Sequence, residues 1–151
     1  MKLAEALNLR ADLQKRIASL KERLIKNSKV QEGDTPSENP NTLLNELYNN
    51  IIELEDIIKA INKTNSSTYV ENESISDIIA KRDALGLKLS ILRSFVSESA
   101  DRIDRYSNTE IKIISTVNVA EKQKEVDKLS KEYRLIDTKL QGINWTTDII
   151  S

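Results

Sequence analysis

The sequence predicts an all-α protein, an antiparallel four-helix bundle with long, coiled-coil-like helices. Four stretches carry apolar residues at alternating spacings of three and four, which keeps one apolar stripe on one side of a helix. Polar segments, one of them containing Gly33 and Pro36, separate these stretches. The 151 residues, of which 31% are charged and 4% aromatic, suffice to bury a core made mainly of Leu and Ile. We therefore expect one helical domain over residues 1–151.

The first two helices are predicted at about 2–26 and 40–62, separated by a loop. Asn39 suits an N-cap, and Pro40 suits the first position of the second helix. The predicted stripe of the first helix is Leu3, Ala6, Arg10, Leu13, Ile17, Leu20 and Leu24. The predicted stripe of the second helix is Leu44, Leu47, Ile51, Leu54, Ile58 and Ile61. The polar and β-branched residues that follow predict a turn and a short extended arm at about 66–70.

The third helix is predicted at about 74–106, starting at Ser74 with Asp77 in the capping-box position. Gly86 indicates close approach of a neighbouring helix. The predicted core stripe is Ile75, Ile78, Arg82, Leu85, Leu89, Leu92, Val96, Ser99, Ile103 and Tyr106. A second apolar strip lies off this stripe and consists of Ile79, Leu87, Ile91 and Phe95. A helix that is apolar on two sides is either central in its bundle or shared with another subunit.

The fourth helix is predicted at about 118–141, after a short extended or β arm at about 109–117. Asn118 is the expected N-cap, with Glu121 in the capping-box position, and Gly142 is the expected C-cap. The predicted stripe is Val126, Leu129, Tyr133, Ile136 and Leu140. The tail 143–151 is too apolar to be solvated, so we expect it to fold back and pack.

Two arginines, Arg10 and Arg82, occupy positions on the stripes where the period calls for an apolar residue. One interpretation is an ion pair with a carboxylate such as Glu53, Glu55 or Asp56 that fixes the helix register. The other is an anion site, in which the two guanidinium groups bind a phosphate or carboxylate ligand. We favour the ion pair and keep the small-anion or nucleotide site as an alternative.

Composition argues against the common catalytic sites. The chain contains no His and no Cys, so it cannot form a Ser-His or Cys-His dyad, a His zinc site or a thiolate metal site by itself. We therefore expect a protein that is not an enzyme and that holds no cofactor or metal.

The charge pattern argues against nucleic acid as a partner. The 23 basic and 24 acidic residues are interspersed, so no strong attractive field for nucleic acid is expected. A basic cluster, Arg93, Arg102, Arg105 and Lys112, alternates with Glu98, Asp101, Asp104 and Glu110. The chain also lacks an apolar signal-peptide core and any run of about 18 uncharged apolar residues, which predicts a cytoplasmic location.

Four connecting segments carry a resemblance to a known family. These are the loop Gln31–Pro40, the turn Ile61–Ser66, the arm Arg105–Lys112 and the tail Asn144–Thr147. They resemble the septicolysin-like family of small helical bacterial proteins, otherwise labelled as of unknown function. The resemblance implies a pore-forming toxin, and only that function would make a membrane the partner.

The leading functional hypothesis is a non-enzymatic helical protein that acts through self-assembly or through a protein partner. We expect a homo-oligomer, and the second strip of the third helix is its candidate contact surface. The septicolysin-like toxin and the anion binder are the two alternatives.

Overall fold

The computed structural model of the protein describes residues 1–101 and 111–151. Its helices are α1 (Leu3–Lys26), α2 (Pro40–Ser67), α3 (Ile75–Ala100) and α4 (Val119–Thr146). Two short strands, β1 (Tyr69–Val70) and β2 (Glu73–Ser74), form an antiparallel pair. The prediction of an all-α protein with four helices is confirmed. Several predicted features lie outside the described residues: the last turn of the third helix with Ile103 and Tyr106, the cluster residues Arg102 and Arg105, and the start of the second arm.

The chain divides into two compact units. Unit 1 consists of residues 1–75 and 141–151, and unit 2 consists of residues 76–140. The prediction of one domain stays a prediction, and each unit is described by itself.

In unit 1, α1 and α2 form an antiparallel pair, and the predicted apolar stripe of α1 is buried in it. Leu3, Leu13 and Leu20 are completely or almost completely buried, as the period of three and four predicts. Where the helices are joined, Arg23 Nε of α1 donates to Glu38 Oε2 at 3.0 Å. The loop between them contains a turn in which Gly33 adopts a φ of 92°, a conformation that favours glycine. Asn39 caps α2 by accepting from the Asn41 amide at 2.9 Å, as predicted.

The buried stripe of α2 agrees with the predicted one at Leu47, Leu54 and Ile61 and is shifted by one position elsewhere, although the predicted Leu44 and Ile58 are also half-buried. It runs through Leu43, Asn50, Ile61 and Thr64, which are buried, and through the half-buried Leu47, Leu54 and Ile57. Ile51, which was predicted to be buried, is 43% exposed. The polar members are satisfied within the helix, because Asn50 donates to the Glu46 carbonyl and Thr64 to the Ala60 carbonyl. The helix continues to Ser67, five residues beyond its predicted end at 62, and the buried Thr64 lies in this added stretch.

The strands β1 and β2 form a hairpin, with the first extended residues at 69–70 rather than at 66. Its two turn residues, Glu71 and Asn72, have φ angles of 51° and 69°. Positive φ at both central positions is the geometry of a type I′ turn, whose twist matches that of paired strands.

The tail after α4 packs along the start of the chain and the end of α2. The Leu3 amide donates to the Thr147 carbonyl at 2.8 Å, and the Ile149 amide donates to the Met1 carbonyl at 3.0 Å. The Ile150 amide donates to Thr64 Oγ1 at 2.8 Å. These bonds hold the tail against the start of α1 and the end of α2, which lie side by side in the antiparallel pair.

In unit 2, α3 and α4 run antiparallel and pack through their predicted stripes. The core cluster is Leu89, Val96, Val126 and Leu129, with Leu85, Leu92, Val119 and Tyr133 packed against it. Close approach at Gly86 is confirmed, since a Cβ there would lie 3.1 Å from Tyr133 Cε2. Asn118 caps α4 as predicted, by accepting from the Glu121 amide at 3.1 Å.

Two boundaries of α4 and its preceding segment differ from the predictions. Gly142 does not end the helix, which continues to Thr146. The buried Ile143 follows Leu140 at a spacing of three, so its burial offsets the cost of about 1 kcal/mol for a helical glycine. Residues 111–117 form neither helix nor strand, so the β form of the second arm is not observed there. Its isoleucines Ile111, Ile113 and Ile114 are exposed.

Candidate functional site

The outer face of α3 in unit 2 carries a strip of exposed apolar side chains. We define the outer strip as Ala84, Leu87, Ile91 and Phe95, and the three large side chains in it are 64%, 62% and 42% exposed. Spacings of three and four hold these residues on one side of the helix. At 1.5 Å per residue the strip is about 17 Å long. It therefore presents a continuous apolar surface over three turns.

The outer strip exists because α3 is apolar on two sides. Its buried residues, among them Leu89 and Val96, face α4, and Ile91 lies between them in sequence but on the opposite side. With 3.6 residues per turn, adjacent helical positions differ by about 100°, so one partner helix covers only one of the two faces. The second face is left to solvent, and a shallow groove forms there between α3 and Glu125 of α4.

Ile79 does not belong with the other three residues of the predicted strip. It is half-buried and does not line the groove that contains Leu87, Ile91 and Phe95. Ile79 precedes Ile91 by twelve residues, which places it about 120° away around the helix. The sequence grouped it with the strip because it is apolar and off the core stripe, but the two positions face different directions.

Two other groups of exposed apolar residues occur among the described residues. On α2, Tyr48, Ile51 and Ile52 are 55%, 43% and 59% exposed, but they cover little more than one turn, and the Glu55–Lys59 ion pair follows them. The other group is Ile111, Ile113 and Ile114, in a segment without regular structure. The outer strip of α3 is therefore the longest apolar surface on a regular element in the described part of the chain.

Charged residues border the outer strip at both ends. Lys81 precedes its N-terminal end, Lys88 lies beside its middle, between Leu87 and Ile91, and Glu98 follows its C-terminal end. All three side chains are exposed, and none of them makes a hydrogen bond or ion pair with a residue that the structure describes. Asp83, also at the N-terminal end, is bound to Arg82. Because Asp83 is paired with Arg82, the N-terminal end offers the charge of Lys81 and the C-terminal end offers that of Glu98.

Arg82 is half-buried on the core stripe and has two carboxylate partners. Its Nε donates to Asp83 Oδ1 at 3.1 Å, and its Nη1 donates to Asp137 Oδ1 of α4 at 3.4 Å. Partial burial by itself lowers the pKa of Arg82, but the hydrogen bond to Asp83 and the charges of Asp83 and Asp137 outweigh it and raise the pKa. Arg82 thus lies in an ion pair between α3 and α4, with other carboxylates than the three we expected.

Arg10 is half-buried on α1, and its side chain makes no hydrogen bond or ion pair with the described residues. Of its expected partners, Glu55 is bound to Lys59 instead. Glu53 and Asp56 line a groove of unit 1 that has Leu9, Ile57 and Ile149 among its apolar walls. Arg10 belongs to unit 1 and Arg82 to unit 2, so an anion site that uses both guanidinium groups stays a prediction.

Sequence reasoning missed the ion pair between Arg23 and Glu38. Arg23 Nε donates to both oxygens of Glu38, at 3.2 and 3.0 Å, and a second guanidinium nitrogen reaches Oε1. The hydrogen bond from Arg23 lowers the pKa of Glu38 below its ordinary value of 4.5. The only signal in the sequence was an acidic residue just before an N-cap, which many loops share, so the bidentate contact depends on the loop conformation.

Within residues 1–101 and 111–151, no three acidic side chains come together in a way that could bind a metal ion. The helices in these two ranges are also too polar or too short to cross a membrane.

Comparisons with known proteins agree with the fold and correct the predicted family. Residues 10–149 match a family of unknown function, DUF6847. The chain is 39% identical to a functionally unknown conserved protein from Corynebacterium diphtheriae whose crystal structure is known; the match covers 99% of each chain, with a TM-score of 0.94. No curated protein matches the sequence significantly.

The septicolysin-like identification was therefore wrong. It was based on four short connecting segments of polar residues, and such segments are typical of helix connections in unrelated proteins. The toxin function was implied by that resemblance alone, and it is withdrawn with it.

Proposed function

The chain belongs to the DUF6847 family, and we propose that it is a non-enzymatic assembly protein that self-associates through the outer strip of α3. The observation that carries this proposal is the exposure of Leu87, Ile91 and Phe95 on one helical face. Isolated exposed apolar residues are ordinary on a protein surface, whereas a contiguous apolar strip with a charged border is typical of an interaction site.

Burial of the outer strip supplies the driving force for association. Each Å² of apolar surface removed from water contributes about 25 cal/mol, and the three large side chains are on average more than half exposed. Association costs several kcal/mol in translational and rotational freedom. A strip of about 17 Å is shorter than a standard protein interface needs, so we expect reversible association in the micromolar range rather than an obligate oligomer.

The proposed occupant of the strip is a second copy of this chain. The strip combines a small residue, Ala84, with a large one, Phe95, so its own surface offers both a depression and a projection. Its border provides both signs of charge, Lys81 at one end and Glu98 at the other. A second identical surface, turned end over end, therefore matches the first in size and in charge, as an isologous contact requires.

Composition supports the non-enzymatic part of the proposal. The chain has no His and no Cys, the residues that most often transfer protons near neutral pH or act as strong nucleophiles. The groups that the site does offer are aliphatic, aromatic and exposed charged side chains, which suit contact rather than chemistry.

Multi-angle light scattering over a concentration series from about 1 to several hundred μM tests the proposal. We expect the wild-type mass to rise above that of the 17.2 kDa chain as concentration increases. The variant Ile91→Gln should need at least a tenfold higher concentration to associate, because it replaces the centre of the strip by a polar side chain. Circular dichroism should show unchanged helix content in this variant.

Ile52→Gln is the matched control, since Ile52 on α2 is 59% exposed and Ile91 is 62% exposed. This control should associate like the wild type. A wild-type protein that stays monomeric over the whole range would disprove the proposal. Loss of association in Ile52→Gln but not in Ile91→Gln would also contradict it and would move the contact to α2.

A further inference from the structure

We infer that the two copies pair through α3 in an antiparallel orientation, about a two-fold axis near residue 89, which gives a closed dimer. This inference rests on the proposed self-association and specifies its geometry. In this register Leu87 packs against Ile91 of the second copy, and Ile91 packs against Leu87 of the second copy. Ala84 lies opposite Ser94 and Phe95 of the second copy.

The sizes of the side chains favour the antiparallel register. Apolar positions spaced by three and four pack best when each knob enters a hole on the facing helix. In the antiparallel pair the ring of Phe95 covers the small Ala84 of the other copy, at both ends of the contact. In a parallel pair Phe95 faces Phe95 and Ala84 faces Ala84, which crowds one end of the contact and leaves a gap at the other.

The charges favour the same orientation. The antiparallel register places Glu98 of one copy near Lys81 of the other, at both ends of the contact. A parallel pair instead sets Glu98 beside Glu98 and Lys81 beside Lys81, and like charges across a helix pair are destabilising. The side chains of Lys81 and Glu98 make no hydrogen bond or ion pair with the described residues, so the contact with a second copy breaks no ion pair that the structure describes.

A closed dimer follows from the symmetry. An isologous contact uses the same patch on both copies and is complete when two copies have met. The assembly should therefore stop at the dimer, with a limiting mass of twice that of the 17.2 kDa chain.

Disulfide cross-linking of single-cysteine variants tests the orientation, because the natural chain contains no Cys. Ala84→Cys and Ser94→Cys place thiols at two exposed positions of α3, five residues on either side of residue 89. In the antiparallel pair residue 84 faces residue 94 of the other copy, while the two residues 84 are about 15 Å apart along the axes. A disulfide needs a Cα–Cα distance below about 7 Å.

Mild oxidation of an equal mixture of the two variants should therefore give a cross-linked dimer, while each variant alone should give none. Cross-linking of Ala84→Cys with itself would overturn the inference in favour of a parallel pair. If no sample cross-links although light scattering shows an oligomer that Ile91→Gln disrupts, the antiparallel register is wrong and the proposed self-association stands. A wild-type protein that stays monomeric would instead contradict both the antiparallel register and the proposed self-association.

Discussion

Units 1 and 2 are both built on an antiparallel pair of helices, but the core cluster of unit 2 is less completely buried than the buried leucines of α1, although Ile78 and Leu140 of unit 2 are each only 2% exposed. In unit 1, Leu3, Leu13 and Leu20 are at most 1% exposed, and the tail 147–151 is bonded to Met1, Leu3 and Thr64. In unit 2, the four residues of the core cluster are 4–7% exposed. A helix pair covers only one face of each helix. Other segments, such as the tail in unit 1, are needed to cover the remaining apolar surface.

The difference explains where the proposed interaction surface lies. Unit 1 uses its hairpin and tail to cover part of α1 and α2, whereas α3 in unit 2 keeps a second apolar face exposed over three turns. Exposed apolar area that folding does not bury is available for association. We therefore expect Leu13 and the tail bonds of unit 1 to contribute more to stability than the core cluster of unit 2, and the proposed contact with a second copy to lie on unit 2. Four measurements test the difference between the units.

The largest expected effect is the loss of a core leucine in unit 1. Leu13→Ala should lower the free energy of unfolding by about 3–5 kcal/mol, because Leu13 is 0% exposed and its removal leaves a cavity that the two helices cannot easily fill. Leu129→Ala in unit 2, where Leu129 is 7% exposed, should cost nearer 2 kcal/mol. Urea titrations of both variants measure the two costs, and equal values would contradict the difference in packing.

The next effect concerns the bonds that hold the tail in unit 1. Thr64→Val keeps the shape of the side chain but removes the acceptor for the Ile150 amide, so we expect a loss of about 1–3 kcal/mol. Ser130→Ala in unit 2 is the control, because Ser130 receives a hydrogen bond from the exposed Arg93, and about 0.5 kcal/mol is expected there. Faster hydrogen exchange of the Ile150 amide in Thr64→Val, and not in Ser130→Ala, would confirm the mechanism.

Two helical glycines give a smaller effect, with the sign reversed. Gly142→Ala should stabilise the protein by about 0.5–1 kcal/mol, since nothing lies within 4 Å of the added Cβ and alanine favours the helix. Gly86→Ala should gain less, because its Cβ would lie 3.1 Å from the Tyr133 ring, which must shift. Thermal unfolding of the two variants measures both changes in stability. If Gly86→Ala stabilises the protein as much as Gly142→Ala does, α3 and α4 are packed loosely at Gly86.

The smallest effect is the acid dependence that Glu38 confers on unit 1. Because Arg23 lowers the pKa of Glu38 below 4.5, this ion pair stabilises the fold above pH 4.5, and the contribution is lost as the pH falls through the lowered pKa. Glu38→Gln should therefore reduce the melting temperature at neutral pH and flatten its decline in acid. Glu32→Gln in the same loop is the control; an identical acid profile for both variants would contradict the assignment.

Much of the fold was predictable from the spacing of apolar residues and from the residues that end helices. The stripes of α1, α3 and α4, the caps at Asn39 and Asn118, and the close approach at Gly86 all follow from local rules. Leu87, Ile91 and Phe95 were identifiable in the same way, because they repeat on a face that the core stripe does not use. Neither the sequence nor the structure identifies the partner that covers this face, so the second copy stays a proposal.

The predictions failed where the deciding interaction is not apolar or not local. The stripe of α2 was partly misplaced because Asn50 and Thr64 are polar, yet they are buried once backbone carbonyls accept their protons. Gly142 was read as a stop signal, but the packing of Ile143 holds the helix through it. The partners of Arg82 and Arg23 depend on which helix faces or loop conformations meet, and a one-dimensional pattern carries no information about that.

The amino-acid sequence by itself determined that this chain is helical, where its helices begin and which face most of them bury, because helix periodicity and capping act over a few residues. Only the tertiary structure decided the rotation of α2, the length of α4 and the pairing of the charged side chains. These depend on distant segments meeting, and the energy of such a contact is set by both partners rather than by either stretch of sequence alone.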